Sequence, residues 1–171
     1  MKLKTRELVV FAMLGAIMYV SKMIMEWIPN VHLLGMLTMA YTLVYRRKAL
    51  YPIYTYVFLN GALGGFNAWW VPYLYVWTVL WAVTMLLPRN MPKKIAPIVY
   101  MIVCALHGFG FGILYAPAQA LMFGLNFEAM LAWIAYGFQF DVIHGISNFF
   151  CGMLIVPVVS ILRYLERTAQ S

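Results

Sequence analysis

Long apolar runs, separated by short polar or basic segments, set the pattern of this chain. A helix that crosses a lipid bilayer needs about 20 mostly apolar residues, within a range of about 17–25. The runs place six such helices at about residues 5–25, 31–45, 49–63, 71–87, 95–115 and 140–165, of which the second is short. The pattern therefore predicts an all-α integral membrane protein with six transmembrane helices, forming one transmembrane domain over residues 1–171.

The basic residues test this helix count, because Lys and Arg concentrate on the cytoplasmic side of membrane proteins. With a cytoplasmic N-terminus, six helices put four basic groups inside and leave only Lys22 outside. A seventh crossing would move Arg163 and Arg167 outside, against this rule. We therefore expect both termini in the cytoplasm. The four groups are Lys2, Lys4 and Arg6; Arg46, Arg47 and Lys48; Arg89, Lys93 and Lys94; and Arg163 and Arg167.

The segment 116–139 is apolar enough to suggest a further crossing, but it contains several residues that interrupt helices. Pro117, Gly124 and Asn126 are expected to break it into pieces. Asn126 is a plausible N-cap for a short helix at about 127–136, because its side chain can accept a bond from a free backbone N–H. We predict an outer connection of one or two short helices that lie over the bundle.

Composition agrees with a membrane domain and changes how the charge is interpreted. The chain is 65% hydrophobic and 10% charged, whereas soluble domains are about 45–50% apolar and about 25% charged. The net charge of +7 lies at predicted helix ends, which favours contact with anionic membrane lipid and not nucleic acid. The first run is long and lacks a small-residue cleavage site, so we expect a helix there and not a signal peptide.

Motifs for catalysis or cofactor binding are missing from the sequence. It has no G-x-x-x-x-G-K-[ST], G-x-S-x-G, H-E-x-x-H or C-x-x-C, so we predict no enzyme activity and no cofactor. A small membrane enzyme that uses Asp141 and His144 as an acid–base pair stays open as an alternative. The three histidines lack a supporting carboxylate pattern, so no metal site is predicted. Cys104 and Cys151 lie in apolar runs and are expected to be buried thiols.

Polar residues concentrate in the predicted outer half of the helices. Asp141, His144 and Asn148 are spaced i, i+3 and i+7 and so share one helix face. Polar groups inside a membrane face a cavity or each other, so both a small-molecule site and a helix–helix hydrogen-bond network are possible. Lys22 would bind a substrate carboxylate or phosphate, or instead pair with Glu26 or extend its ammonium to the membrane interface. The candidate substrate-binding polar residues are Lys22, Glu26, Asn30, His32, Asn67, Asp141, His144 and Asn148.

Aromatic residues cluster at the same predicted end. Trp69, Trp70 and Tyr73 lie within the outer segment N-A-W-W-V-P-Y, where their rings would stack on a flat heterocycle. Trp and Tyr also collect at membrane interfaces whatever the function, and that alternative stays open. Tyr115 and Gln119 are expected to line the same space from the outer connection.

Small residues mark one face of the first predicted helix. Ala12 and Ala16 lie four residues apart, with Gly15 beside them. Such a stripe lets another helix approach closely. We therefore expect a helix-docking surface there.

The opening T-R-E-L-V-V-F-A-M-L-G-A and the ending F-D-V-I-H-G-I-S-N-F-F-C-G, together with the size and the six-helix pattern, resemble the substrate-binding S components of energy-coupling factor (ECF) transporters. The resemblance implies a multi-pass protein of the bacterial cytoplasmic membrane that captures a vitamin-like micronutrient outside. It also implies that Ala12 and Ala16 dock on a transmembrane T subunit, which works with two ATPases. The implied substrate cavity is closed by segments 26–31, 61–72 and 116–139. A stand-alone channel or ligand-binding membrane protein is a further alternative.

Overall fold

A computed structural model describes residues 3–168, and Lys2 of the first basic group lies outside them. Within that range the chain forms eight α-helices, joined in places by single turns of 3₁₀-helix, and no strand. The all-α prediction is therefore confirmed. The helices are α1 (Thr5–Met25), α2 (Leu34–Tyr45), α3 (Leu50–Gly64), α4 (Tyr73–Leu86), α5 (Ala96–Phe109), α6 (Phe111–Phe123), α7 (Phe127–Cys151) and α8 (Ile155–Thr168).

Helix α2 lies at the centre of the bundle. Every residue from Leu34 to Thr42 is buried, and the helix packs against α4, α8, α5 and α1. Its sequence is apolar on all sides, which is typical of a helix with no solvent-facing or lipid-facing side. Of its two buried threonines, Thr42 donates to the Thr38 carbonyl oxygen at 2.6 Å and so satisfies its hydroxyl within the helix.

Glycines bring α5 and α7 into close contact. A Cβ atom at Gly108 would lie 2.8 Å from the Cα of Gly145, so no larger residue fits without moving a backbone. Gly112, four residues further on, leaves room for the Asp141 carboxylate, which accepts bonds from the Gly112 N–H at 3.0 and 3.1 Å. Close approach through small residues is the usual way in which membrane helices associate.

The structure gathers the basic groups at one end of the bundle, which we call the basic end. Lys48 and Glu7 form an ion pair between the 3₁₀ turn before α3 and the start of α1. Arg46 donates to the Met85 carbonyl oxygen at 2.9 Å near the end of α4. At the opposite end, here the polar end, Lys22 of α1 donates to Asn60 of α3 at 3.1 Å. Helices α1 to α4 therefore run between two chemically different ends.

Four helical segments in the described part of the chain are long and apolar enough to span a membrane. They are Thr5–Met25, Ala68–Leu86, Ala96–Phe123 and Phe127–Thr168. Helices α2 and α3 match the second and third predicted helices in position, but they contain only 12 and 15 residues. The chain therefore has the properties of a transmembrane protein, with two of its central helices shorter than a full span.

The predicted outer connection differs from the structure. The short helix predicted at about 127–136 is not a separate element, because α7 continues without a break from Phe127 to Cys151. Pro117 lies inside α6 and does not end it. The turn is made by Gly124, whose φ of 64° is left-handed. Asn126 caps α7 as expected, accepting a bond from the Ala129 N–H at 2.8 Å. The segment is thus a hairpin of two helices.

Candidate functional site

A cavity of about 220 Å³ opens at the polar end of the bundle. Four elements build it: the end of α1 with the segment that follows it, the first residue of α4, the first residue of α6, and α7. Six of the sequence-predicted site residues line it, namely Lys22, Glu26, Asn30, His32, Tyr73 and His144. Its other lining residues are Met25, Ile28, Pro29, Val31 and Phe111. We call this space the polar-end cavity.

Lys22 brings a positive charge to the polar-end cavity, and α3 holds it in position. Its ammonium donates to the Asn60 side-chain oxygen at 3.1 Å, so the structure pairs Lys22 with Asn60 and not with Glu26. Asn60 is 1% exposed, so the surrounding residues hold its side chain in place. An ammonium has three donors, so after bonding Asn60 it retains capacity for an anionic ligand.

Two histidines form the inner wall of the cavity. The rings of His32 and His144 lie edge to face with their centroids 4.6 Å apart. Neither His32 Nδ1 nor His144 Nε2 has a hydrogen-bond partner among the described residues, although both atoms are buried. Buried polar groups without partners are costly. A ligand with matching donors or acceptors would remove that cost.

The segment between α1 and α2 is held against α7 at this wall. Asn30 has a left-handed φ of 60°, a conformation that asparagine tolerates better than most residues. Its carbonyl oxygen accepts a bond from the Ser147 hydroxyl at 3.0 Å.

Burial lowers the pKa of His32, which lies in this segment, to about 4. The ring is therefore neutral at pH 7, with one nitrogen as donor and the other as acceptor.

An aromatic cluster supports the floor of the cavity, and sequence reasoning missed most of it. The Trp77 ring stacks on the Tyr73 ring with the centroids 6.0 Å apart, and its centroid lies 5.9 Å from that of Phe111. Trp77 and Tyr56 are fully buried, yet Trp77 Nε1 and the Tyr56 hydroxyl lack partners within the described residues. The sequence signal was present, since Tyr73 and Trp77 lie four residues apart and so share a helix face.

The other predicted aromatic residues lie beside or above the cavity. The rings of Tyr115 and Tyr73 lie edge to face with their centroids 6.4 Å apart. The Tyr115 hydroxyl donates to the Trp69 carbonyl oxygen. Its ring also stacks on Trp133 of α7 at 6.1 Å, so the α6–α7 hairpin covers this side. Trp70 instead donates from Nε1 to the Val57 carbonyl oxygen at 2.8 Å, which ties its segment to α3.

The predicted stripe on α7 divides between two roles. His144 lines the cavity. Asp141 is bonded to the Gly112 backbone, and Asn148 donates to the Cys104 carbonyl oxygen at 3.3 Å, so both belong to a helix–helix network. Gln119 and the exposed Asn67 do not line the cavity.

Histidines and cysteines do not assemble a metal centre in the part of the chain that the structure describes. No group of three His, Cys, Asp or Glu residues there could hold a metal ion. His107 lies against Trp77 with ring centroids 5.6 Å apart and has its Nε2 3.1 Å from the Val76 carbonyl oxygen. Cys104 and Cys151 are free thiols, the first buried and the second half-buried.

The small residues of α1 face in two directions. Gly15 is buried, and a Cβ atom there would lie 2.6 Å from the Thr55 side chain of α3. Ala12 is exposed and Ala16 half-buried. The α1–α3 contact therefore uses Gly15 and leaves the alanines accessible on the neighbouring face.

Comparison of the chain with protein-family models, with curated proteins and with solved structures finds no match. Function is therefore inferred from the polar-end cavity and its surroundings. The cavity combines a cation, a carboxylate, two imidazoles with unpaired nitrogens, and aromatic rings. Such a set can bind a small planar molecule that carries hydrogen-bonding and anionic groups.

Proposed function

We propose that this protein is the substrate-capture subunit of an ECF-type importer, an S component, that binds a small vitamin-like heterocycle. The polar-end cavity is the observation that carries the proposal. It lies at the end of the bundle opposite the basic groups, and its lining combines ionic, hydrogen-bonding and aromatic side chains. By the positive-inside rule the basic end is cytoplasmic, so the cavity opens to the outside and six helices cross the bacterial cytoplasmic membrane.

The chemistry of the cavity favours a ligand with one small ring system and an acidic group. Its volume of about 220 Å³ is below the range of about 300–1,000 Å³ typical of drug-sized ligands. The ring would contact Tyr73 and Phe111, while His32 and His144 supply hydrogen bonds. A carboxylate or phosphate on the ligand would bind Lys22 through a charge-assisted hydrogen bond.

The proposed partners are a transmembrane T subunit and two ATPases. Ala12 and Ala16 offer an accessible small-residue face on α1, which suits close packing with a helix of the T subunit. In this mechanism the loaded subunit turns within the membrane when the ATPases drive the T subunit, and it releases its substrate inside. The protein itself performs no chemistry.

The first experiment is mass spectrometry of small molecules released from protein purified in mild detergent. We expect one heterocyclic compound at about one molecule per chain. Its affinity is then measured for the wild type, for Lys22→Met and for the matched control Lys94→Met, an exposed lysine at the other end. Lys22→Met should weaken binding by roughly tenfold or more, since a hydrogen bond to a charged group contributes about 1.5–3 kcal/mol.

Unchanged affinity in Lys22→Met would contradict the proposal that the substrate binds in the polar-end cavity. A transport assay then separates the remaining possibilities. Uptake into cells should need both a T subunit and active ATPases, and Ala12→Trp should abolish association with the T subunit while ligand affinity is retained. Uptake without ATPases would favour a channel or stand-alone transporter.

A further inference from the structure

A second cavity, of about 400 Å³, opens at the basic end between α2, α5, α8 and the segment that joins α4 to α5. Three cations line it: Arg89 and Lys93 from the joining segment and Arg163 from α8. All three side chains are exposed. We call this space the basic cleft. It is remote from the polar-end cavity and has no part in the proposed substrate site.

Among the residues that the structure describes, no carboxylate lines the basic cleft. At the same end of the molecule, Glu7 is paired with Lys48, and Glu166 lines a different cavity beside Tyr45. Three cations brought together without an acidic partner repel one another, and an anion between them would remove that repulsion. Arg and phosphate form paired, charge-assisted hydrogen bonds that suit such a site.

Apolar side chains share the wall of the cleft with these cations. Leu43, Val156 and Val159 form part of it, and Val159 is buried while the other two are half-buried. A soluble anion needs only the charges, but a phospholipid needs charges next to an apolar surface for its chain. The basic cleft offers both, and it lies where α4 ends and α5 begins, as expected for a headgroup site at a membrane surface.

We propose that the basic cleft binds one anionic phospholipid. Its phosphate contacts Arg89, Lys93 and Arg163, and an acyl chain lies along Leu43, Val156 and Val159. Because the three cations come from two segments distant in sequence, the bound lipid would link the α4–α5 connection to α8. This site is independent of the substrate and of the transport partners.

The test is native mass spectrometry of the full-length protein in detergent, titrated with phosphatidylglycerol or phosphatidylcholine. We expect one phosphatidylglycerol to bind at least about tenfold more tightly than phosphatidylcholine. The cleft variant Arg89→Gln/Lys93→Gln/Arg163→Gln should lose this preference. The matched control is Arg47→Gln/Lys94→Gln/Arg167→Gln, which removes the same charge from residues that do not line the cleft, and it should bind within about twofold of the wild type.

An equal loss in both triple variants would show only diffuse attraction between charges and would overturn the site. If the cleft variant fails to fold, the single variants Arg163→Gln and Arg167→Gln make the same comparison. Competition distinguishes the source of the phosphate. Inorganic phosphate and glycerol 3-phosphate should not displace phosphatidylglycerol at millimolar concentration, and displacement by either would replace the lipid with a soluble anion.

Discussion

At the residue scale, the arrangement around Lys22 decides what the polar-end cavity can bind. Asn60 does not line the cavity, but it accepts the hydrogen bond that holds the ammonium. Asn60 is thus a positioning residue, and its amide nitrogen is buried without a partner among the described residues. A negative charge at this position would therefore lie next to the Lys22 ammonium.

Asn60→Asp tests whether Lys22 binds an anionic group. The new carboxylate would form an ion pair with Lys22 and reduce its attraction for an anion, so the affinity for the released ligand should fall by roughly tenfold. The control Asn67→Asp adds the same charge at an exposed position of the same end and should change affinity by less than about twofold. Calorimetric titration measures both. Unaltered binding in Asn60→Asp would mean that the ligand does not carry its charge next to Lys22.

His32 provides a prediction about pH. Burial lowers its pKa to about 4, and the neighbouring His107 and Lys22 act in the same direction; His144 and Glu26 also face it across the cavity. An unfolded histidine has a pKa near 6.5, so the unfolded state binds more protons between about pH 6.5 and pH 4. This contribution to stability is present above about pH 6.5 and is lost as the pH falls toward 4.

His32→Gln should therefore reduce the loss of stability on acidification. Between pH 7 and pH 5 the wild type should lose on the order of 1 kcal/mol more than the variant. The measurement is thermal unfolding in detergent at both pH values. Parallel losses in the two proteins would show that the His32 ring is solvated and titrates normally.

At the element scale, the contact between α5 and α7 depends on glycines that leave no room for side chains. Gly108→Ala would force a methyl group against the Gly145 backbone and should lower stability by roughly 1–3 kcal/mol. Gly137→Ala is the matched control, because Gly137 also lies within a helix but has nothing within 4 Å of its Cβ position. It should be neutral or stabilise the helix by up to about 1 kcal/mol.

Thermal unfolding of the two alanine variants in the same detergent tests this contrast. Equal stabilities would mean that the α5–α7 interface has enough freedom to accept a methyl group. The Gly108–Gly112 spacing is a small-residue motif of the kind that predicts close helix contact. The same spacing at Ala12 and Ala16 predicted a helix-docking surface, whereas the close contact at Gly108 was not predicted.

Helices with clear end signals could be predicted from the sequence, and those without them could not. The apolar run of α1 begins and ends where the structure places it, and Asn126 marks the start of α7. Pro117 was predicted to break its segment, but it lies inside α6. A proline in a well-packed helix can be tolerated despite the lost hydrogen bond. The start of α7 was predicted as a separate short helix at about 127–136, because a seventh crossing would have moved Arg163 and Arg167 outside, whereas α7 runs without a break from Phe127 to Cys151.

The sequence predicted which types of residue form the candidate site, but not which groups their side chains contact. Lys22, His32 and Tyr73 were found because polar and aromatic residues clustered at one end of the predicted helices. Asp141 and Asn148 satisfied the same criterion but bond to backbone groups of α6 and α5. Whether a buried polar side chain meets a ligand or a neighbouring helix depends on tertiary contacts, which a helical spacing does not contain.

At the scale of the whole molecule, the separation between the basic and polar ends determines the orientation in the membrane that the proposed function requires. An importer that captures its substrate outside needs the polar-end cavity outside and the basic cleft inside. The described structure puts Asn67 at the polar end and Lys94 at the basic end, and both side chains are exposed. These two positions therefore report directly on which end faces the cytoplasm.

Cysteine labelling with a membrane-impermeant maleimide tests this orientation in intact cells. Cys104 and Cys151 are first replaced by alanine, and the protein must still bind its ligand. Asn67→Cys should then react in intact cells, whereas Lys94→Cys should react only after the membrane is permeabilised, because positively charged segments remain on the cytoplasmic side. The reverse pattern would put the cavity in the cytoplasm and contradict capture from outside, even if the ligand and the Lys22 contact were both correct. Labelling of both positions in intact cells would contradict the membrane topology itself, since α4, the helix between Asn67 and Lys94, would then not cross the membrane.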